Sequence, residues 1–139
     1  MLIDSKIDEI KDMFGLFDDP MDKYTQIIEL GKKNNPLKDK DKNDINRIYG
    51  CTSLAWVKVI KEGHTYSILV DSDTFIVKGL LSIIKYIVDG CEAKDIEQLN
   101  INAVLDDIGL GSSITSQRTN GFLNALKTIK KQIQVYEWK

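Results

Sequence analysis

Thr65-Tyr66-Ser67-Ile68-Leu69-Val70-Asp71-Ser72-Asp73-Thr74-Phe75-Ile76-Val77-Lys78-Gly79-Leu80-Leu81-Ser82-Ile83-Ile84-Lys85-Tyr86-Ile87-Val88 changes its period halfway along. In the first part Tyr66, Ile68 and Val70 alternate with Thr65, Ser67 and Leu69, the period of a strand with one better-buried face. Asp71-Ser72-Asp73 then offers three helix-capping side chains in a row. Beyond them Ile76, Val77, Leu80, Leu81, Ile83, Ile84, Ile87 and Val88 cover most of a helical circumference. Lys78, Ser82, Lys85 and Asp89 return at helical spacing as one polar stripe. This is a strand running into a core helix with one wet edge, which Gly90 ends.

Working outward, Ile48-Tyr49 and residues 54–60 are also rich in β-branched and aromatic side chains, and Glu62-Gly63 reads as a hairpin turn. Upstream, a first helix starting at Ser5 carries Ile7, Ile10, Phe14 and Phe17 on one face. Asp19-Pro20 is an N-cap with proline in the first helical position. Tyr24, Ile27, Ile28 and Leu30 follow, with Gly31 as the stop. Residues 32–46 read as a long exposed connection. Downstream come a short helix over residues 102–108, a break at Gly109 and Gly111, and a last helix from Ser116 with Phe122, Leu126, Ile129 and Ile133 inside. Helices, a small antiparallel sheet packed against them, then helices again predict one α+β domain over residues 1–139.

The chain's 139 residues suffice for one self-supporting core. A net charge of -2, with lysines and acids interleaved as in Lys38-Asp39-Lys40-Asp41-Lys42, argues against nucleic acid as a partner. No apolar run reaches membrane-spanning length, because Lys78, Ser82 and Lys85 interrupt the longest. Met1-Leu2-Ile3-Asp4-Ser5 does not resemble a secretory leader, so a cytoplasmic location is expected, or an organelle such as a plastid if a transit peptide has been removed. Two cysteines and one histidine, without a Cys-x-x-Cys or a His pair, do not make a structural metal site.

Chemistry therefore rests on few residues. A cysteine is more often a small buried hydrophobe than a nucleophile. Cys51, however, follows Gly50, where the backbone can turn tightly or lie close to another surface, and it sits where a polar connection meets an apolar strand. Cys91 lies just past the Gly90 helix stop, a duller setting. His64 reads as a solvated turn residue, and a Cys–His pair would need it to fold back onto Cys51. Gly109-Leu110-Gly111-Ser112-Ser113 lacks the glycine spacing and lysine of a phosphate-cradling loop and reads as a helix break.

Asn46-Arg47-Ile48-Tyr49-Gly50-Cys51-Thr52-Ser53-Leu54-Ala55-Trp56 resembles the signature around the active cysteine of the SufE/CsdE family: an asparagine, an aliphatic residue, Gly-Cys, a serine two residues on and a tryptophan three after that. Asp71-Ser72-Asp73 with Ile76-Val77-Lys78-Gly79-Leu80 resembles a second block, and Ile114-Thr115 through Arg118 to Gly121 a third. Tyr24-Ile27-Ile28-Glu29-Leu30-Gly31 is similar to the helix near the family's start. The chain departs from the family in two ways: Ser116 replaces a frequent proline, and Tyr49 and Thr52 stand where glutamine commonly flanks the cysteine. Neither removes a reactive atom, although both bear on partner choice.

The resemblance implies a SufE/IscU-like α+β fold and a sulfur acceptor that works through a persulfide on Cys51. The sulfur would come from a pyridoxal-phosphate cysteine desulfurase, SufS- or CsdA-like, which the acceptor also stimulates, and would pass to a SufB-like scaffold for iron–sulfur cluster assembly. On this view the chain is not itself an enzyme, it needs no cofactor or metal, and the pyridoxal phosphate belongs to the partner. Gly50, Ser53, Asp73 and Arg118 are expected to support the loop or the partner interface. Arg118 would either assist the Cys51 thiolate or face the desulfurase, against the plainer role of a surface charge near a helix start. Asp73 would serve simply as the cap of the core helix. Trp56 reads as core. The loop is expected to shelter Cys51 among apolar residues and swing out to the donor, so that Gly50→Val slows sulfur acceptance. The rival readings are a thiol enzyme using Cys51 on a small peroxide or acyl substrate, and an adaptor that activates a desulfurase by binding alone.

Overall fold

In the computed structural model the chain runs α1 (Leu2–Gly15), α2 (Pro20–Lys33), a 3-10 turn (Asp39–Asp41), β1 (Ala55–Glu62), β2 (Thr65–Ser72), α3 (Phe75–Val88), α4 (Ala93–Glu97), α5 (Ile101–Asp107) and α6 (Ser116–Glu137). Residues 2–50, 53–107 and 116–137 are described, without the side chains of 101, 107 and 116–119. All eight apolar residues expected on the core helix are buried in α3. The fold is α+β, as the sequence predicts.

β1 and β2 form a two-stranded antiparallel ribbon, with Val57 opposite Val70 and Val59 opposite Ile68. Ala55, Val57 and Val59 share one face with Tyr66, Ile68 and Val70, and all six are buried. That face is covered by α3 and α6, and α2 lies along α3. An isolated hairpin is marginal in water, and its outer edges expose unpaired backbone groups. Here helix side chains cap both edges. Along β2, Asp89 accepts the Ile68 N–H at 2.7 Å, Lys85 donates to Ile68 O at 2.6 Å, and Asn34 donates to Val70 O at 2.9 Å. Along β1, Gln132 accepts the Val59 N–H and donates to Val57 O, each at 2.9 Å, and the Tyr136 hydroxyl donates to Val59 O at 3.2 Å. Polar groups that would otherwise be orphaned are thereby satisfied.

Several expectations need correction. The first helix starts at Leu2 rather than Ser5, because Ile3 joins Ile7, Ile10 and Phe14 on its buried face; Phe17 falls beyond its end. The second helix continues past Gly31 to Lys33. Gly31 instead provides close approach, since a Cβ there would strike the Phe75 carbonyl of α3, just as one at Gly79 would strike Ile27 O. The hairpin turn falls on Gly63-His64, with Gly63 at φ +68, the placement that suits glycine in a two-residue turn. The connection after α2 is tied down: Leu37 and Asn46 are buried, and Lys58 pairs with Asp41 at 2.9 Å. Trp56 is half-buried, with the Lys42 ammonium 5.5 Å from its ring centre. α4, too short for a periodic signal, is an unpredicted element.

Candidate functional site

Residues 46–48 run antiparallel to the start of β1. Arg47 pairs with Trp56, the Ile48 N–H donates to Ala55 O at 2.8 Å, and the Val57 N–H donates to Asn46 O at 2.8 Å. The chain thus leaves the ribbon at Ile48 and returns at Ala55, with residues 49–54 between. The motif asparagine explains itself here. Buried Asn46 donates through its amide to Asp41 O at 2.9 Å and accepts from Gln132 at 3.4 Å, so the loop's foot is joined to α6.

Gly50 sits at φ +88, a backbone region costly for any side chain. A Cβ there would also meet the side-chain amide of Asn124 on α6. Both sequence-level reasons for a glycine, a tight turn and a close surface, therefore apply. On the return side, the Thr74 hydroxyl donates to the Ser53 hydroxyl at 3.0 Å. Leu54 O accepts both the Ser72 hydroxyl at 2.7 Å and the Asp73 N–H at 3.1 Å. These bonds pin the loop's exit to the start of α3.

Cys51 itself lies outside the described residues, as do Thr52 and the Gly109–Ser113 stretch, and Arg118 is placed on α6 by its backbone only. The assignments to Cys51 and Arg118 therefore rest on the sequence. Gly50 and Ser53, expected as loop support, lie on the entry and exit sides of the stretch and make the contacts just given. Asp73 does not cap α3: the N-cap is Thr74 and Asp73 is exposed, contributing its backbone N–H to Leu54. His64 is exposed at the hairpin tip, seven ladder steps from Ala55 and so about 23 Å along the strand. Cys91 pairs with Tyr66 near the same tip; it is buried, and burial foremost pushes its thiol pKa up. Neither is near the loop's anchors.

The residue that sequence reasoning passed over is Asp71, two positions from the one chosen. Its carboxylate is almost wholly buried. It accepts the Leu37 N–H at 3.0 Å and the Ser72 N–H at 2.8 Å, and pairs with Lys78 at 3.2 Å and Lys42 at 3.4 Å. Burial alone would raise its pKa. The two backbone donors and Lys78 outweigh burial and hold it below the ordinary carboxylate value. Its sequence signal lay in the Asp71-Ser72-Asp73 block, where a spacing argument cannot tell which acid turns inward.

Around the loop, cationic side chains lie over aromatic rings. The Arg47 guanidinium lies 5.2 Å from the Tyr49 ring centre, and Lys32 and Lys78 flank the Phe75 ring. Tyr49, Leu54 and Phe75 are exposed. Among the described residues no group of three or more His, Cys, Asp or Glu side chains could hold a metal ion, and no helix is long and apolar enough to cross a membrane. A loop anchored on both sides and rimmed by aromatic and apolar side chains suits presentation to a protein partner.

Comparison with known proteins gives the family. The family model described as SufE, Fe-S metabolism associated domain, matches residues 8–133. A SufE-like protein of Rhizobium etli is 32% identical over 135 residues, covering 94% of this chain and 91% of its own. SufE-like protein 1, chloroplastic/mitochondrial, of Arabidopsis thaliana is 33% identical over 129 residues, 91% of this chain but 34% of the plant protein. In fold, the solution structure of a hypothetical protein from Thermus thermophilus superposes with a TM-score of 0.78 at 15% identity, covering 96% of this chain and 97% of that one. The chain belongs to the SufE family, the Fe-S metabolism associated domain.

Proposed function

We propose that this protein accepts sulfur as a persulfide on Cys51 from a pyridoxal-phosphate cysteine desulfurase and hands it on for iron–sulfur cluster assembly. The observation that carries the reading is the loop of residues 49–54, anchored to β1 on one side and to α3 on the other, in a chain of the SufE family. In the transfer the Cys51 thiolate attacks the outer sulfur of the desulfurase persulfide. A new S–S bond forms, the donor's S–S bond breaks, and the desulfurase cysteine leaves as a thiolate, so no external oxidant or reductant is consumed. The chain acts as a carrier that a partner reloads, not as an enzyme. The pyridoxal phosphate is the desulfurase's, and the onward partner is a SufB-like scaffold. The proposed location is the cytoplasm, or an organelle of the kind named for the plant relative.

The thiol-enzyme alternative needs a base or resolving thiol beside Cys51. The distance of His64 and the burial of Cys91 disfavour it. Desulfurase turnover with and without this protein tests the reading. Stimulation by wild type that is lost in Cys51→Ser is expected; full stimulation by Cys51→Ser would point to an adaptor that acts by binding alone.

A further inference from the structure

Asn124, Thr128, Gln132 and Tyr136 recur every fourth residue along α6, which puts them on one stripe of the helix. The lower part of the stripe reads backbone. Gln132 brackets Val57 and Val59 and reaches Asn46, and Tyr136 reaches Val59. Thr128 turns its hydroxyl back to Asn124 O at 2.8 Å, an intrahelical bond. Asn124 stands two turns above Gln132, about 12 Å along the axis, and meets the chain where it has left β1.

There its side-chain amide nitrogen occupies the place a Cβ of residue 50 would take. Asparagine is a poor choice for a helix interior, because its amide competes for backbone bonds. A half-buried asparagine aimed at a backbone therefore calls for a reason beyond helix formation. We infer that Asn124 is a positioning residue: its amide holds the Gly50 backbone against α6 and so sets the placement of the residue that follows, the acceptor cysteine of the function proposed above, on which this inference rests for its consequence. α6 thereby fixes the foot of the loop through Gln132 and Asn46 and the backbone just before Cys51 through Asn124 and Gly50.

The test is the rate of alkylation of Cys51 by iodoacetamide as a function of pH, with the label mapped to Cys51 by peptide mass. Asn124→Ala, which removes the amide packed against Gly50, is expected to alkylate about three- to tenfold faster, the factor given by loss of one polar contact of ordinary net strength. Asn124→Asp keeps the volume and adds a negative charge. It is expected to move the midpoint of the pH profile up by roughly a few tenths of a unit, the order of the effect of one added charge screened by water. Tyr136→Phe, altered at the far end of the stripe, controls for lost stability alone: it lowers the melting temperature and leaves the profile in place. An Asn124→Ala rate equal to wild type, or an unmoved midpoint in folded Asn124→Asp, would overturn the inference. Neither readout uses a desulfurase, so a failure of sulfur loading beside a positive Asn124 result would count against the proposed function and not against the positioning.

Discussion

The buried carboxylate of Asp71 accepts the backbone N–H of Leu37 at 3.0 Å, across thirty-four residues of chain. That bond fastens the segment that leads to the cysteine loop onto the end of β2, and the partner bonds to Ser72, Lys78 and Lys42 carry it on to α3. The approach to the loop is thus held by a buried charge rather than by the exposed Asp73 two residues on.

Because the folded-state pKa of Asp71 is depressed, its contribution to stability is complete above the unfolded value of 3.8 and is lost as pH falls below it, through the folded value. The melting temperature of wild type should therefore fall more steeply than that of Asp71→Asn as pH drops below the unfolded value of 3.8. At pH 7, Asp71→Ala should cost about 3 kcal/mol in chemical denaturation, since it leaves two buried N–H groups and two lysines without their acceptor. A loss below about 0.5 kcal/mol would mean that Asp71 is not the hub described.

Gln132→Ala uncovers Val59 N–H and Val57 O together on the outer edge of β1. The expected destabilisation is about 2–4 kcal/mol, more than a surface substitution on α6. Hydrogen exchange at the Val59 amide should quicken alongside, and protection equal to wild type would show that the edge is not held by Gln132.

Much of this was legible in sequence. The alternation from Thr65 and the apolar circumference of α3 fix the ribbon and the core helix, because burial imposes its period directly on side-chain type. What escaped depends on tertiary neighbours. Gly31 looks like a helix stop and serves as a contact for α3; Asp71 and Asp73 are interchangeable to a capping rule, and only the position of Leu37 separates them. Gln132 and Asn124 carry no local signal, since their partners lie far away in sequence.

At Gly50 the expectation of a slowed acceptor on substitution gains a physical basis. Gly50→Ala should cost about 1–2 kcal/mol for the left-handed backbone, with the clash of its Cβ against the Asn124 amide in addition, and Gly50→Val more again, because it branches at that Cβ. Sulfur acceptance should slow in both variants. Asn124→Ala in the Gly50→Ala background should recover only the part of the loss due to the clash, a coupling that a double-mutant cycle measures.

The two cysteines should separate cleanly towards a thiol reagent. Cys91, buried and with its pKa raised, should stay silent in the folded protein and react only on unfolding. Fast labelling of Cys91 under native conditions would contradict its structural role.

Intact-mass spectrometry after incubation with a cysteine desulfurase and cysteine reads persulfide formation on Cys51 itself. A reductant-sensitive gain of one sulfur, mapped to Cys51 and absent from Cys51→Ser, is expected. No gain with the desulfurase of the same organism, while that enzyme loads another acceptor in parallel, would contradict the proposed sulfur acceptance.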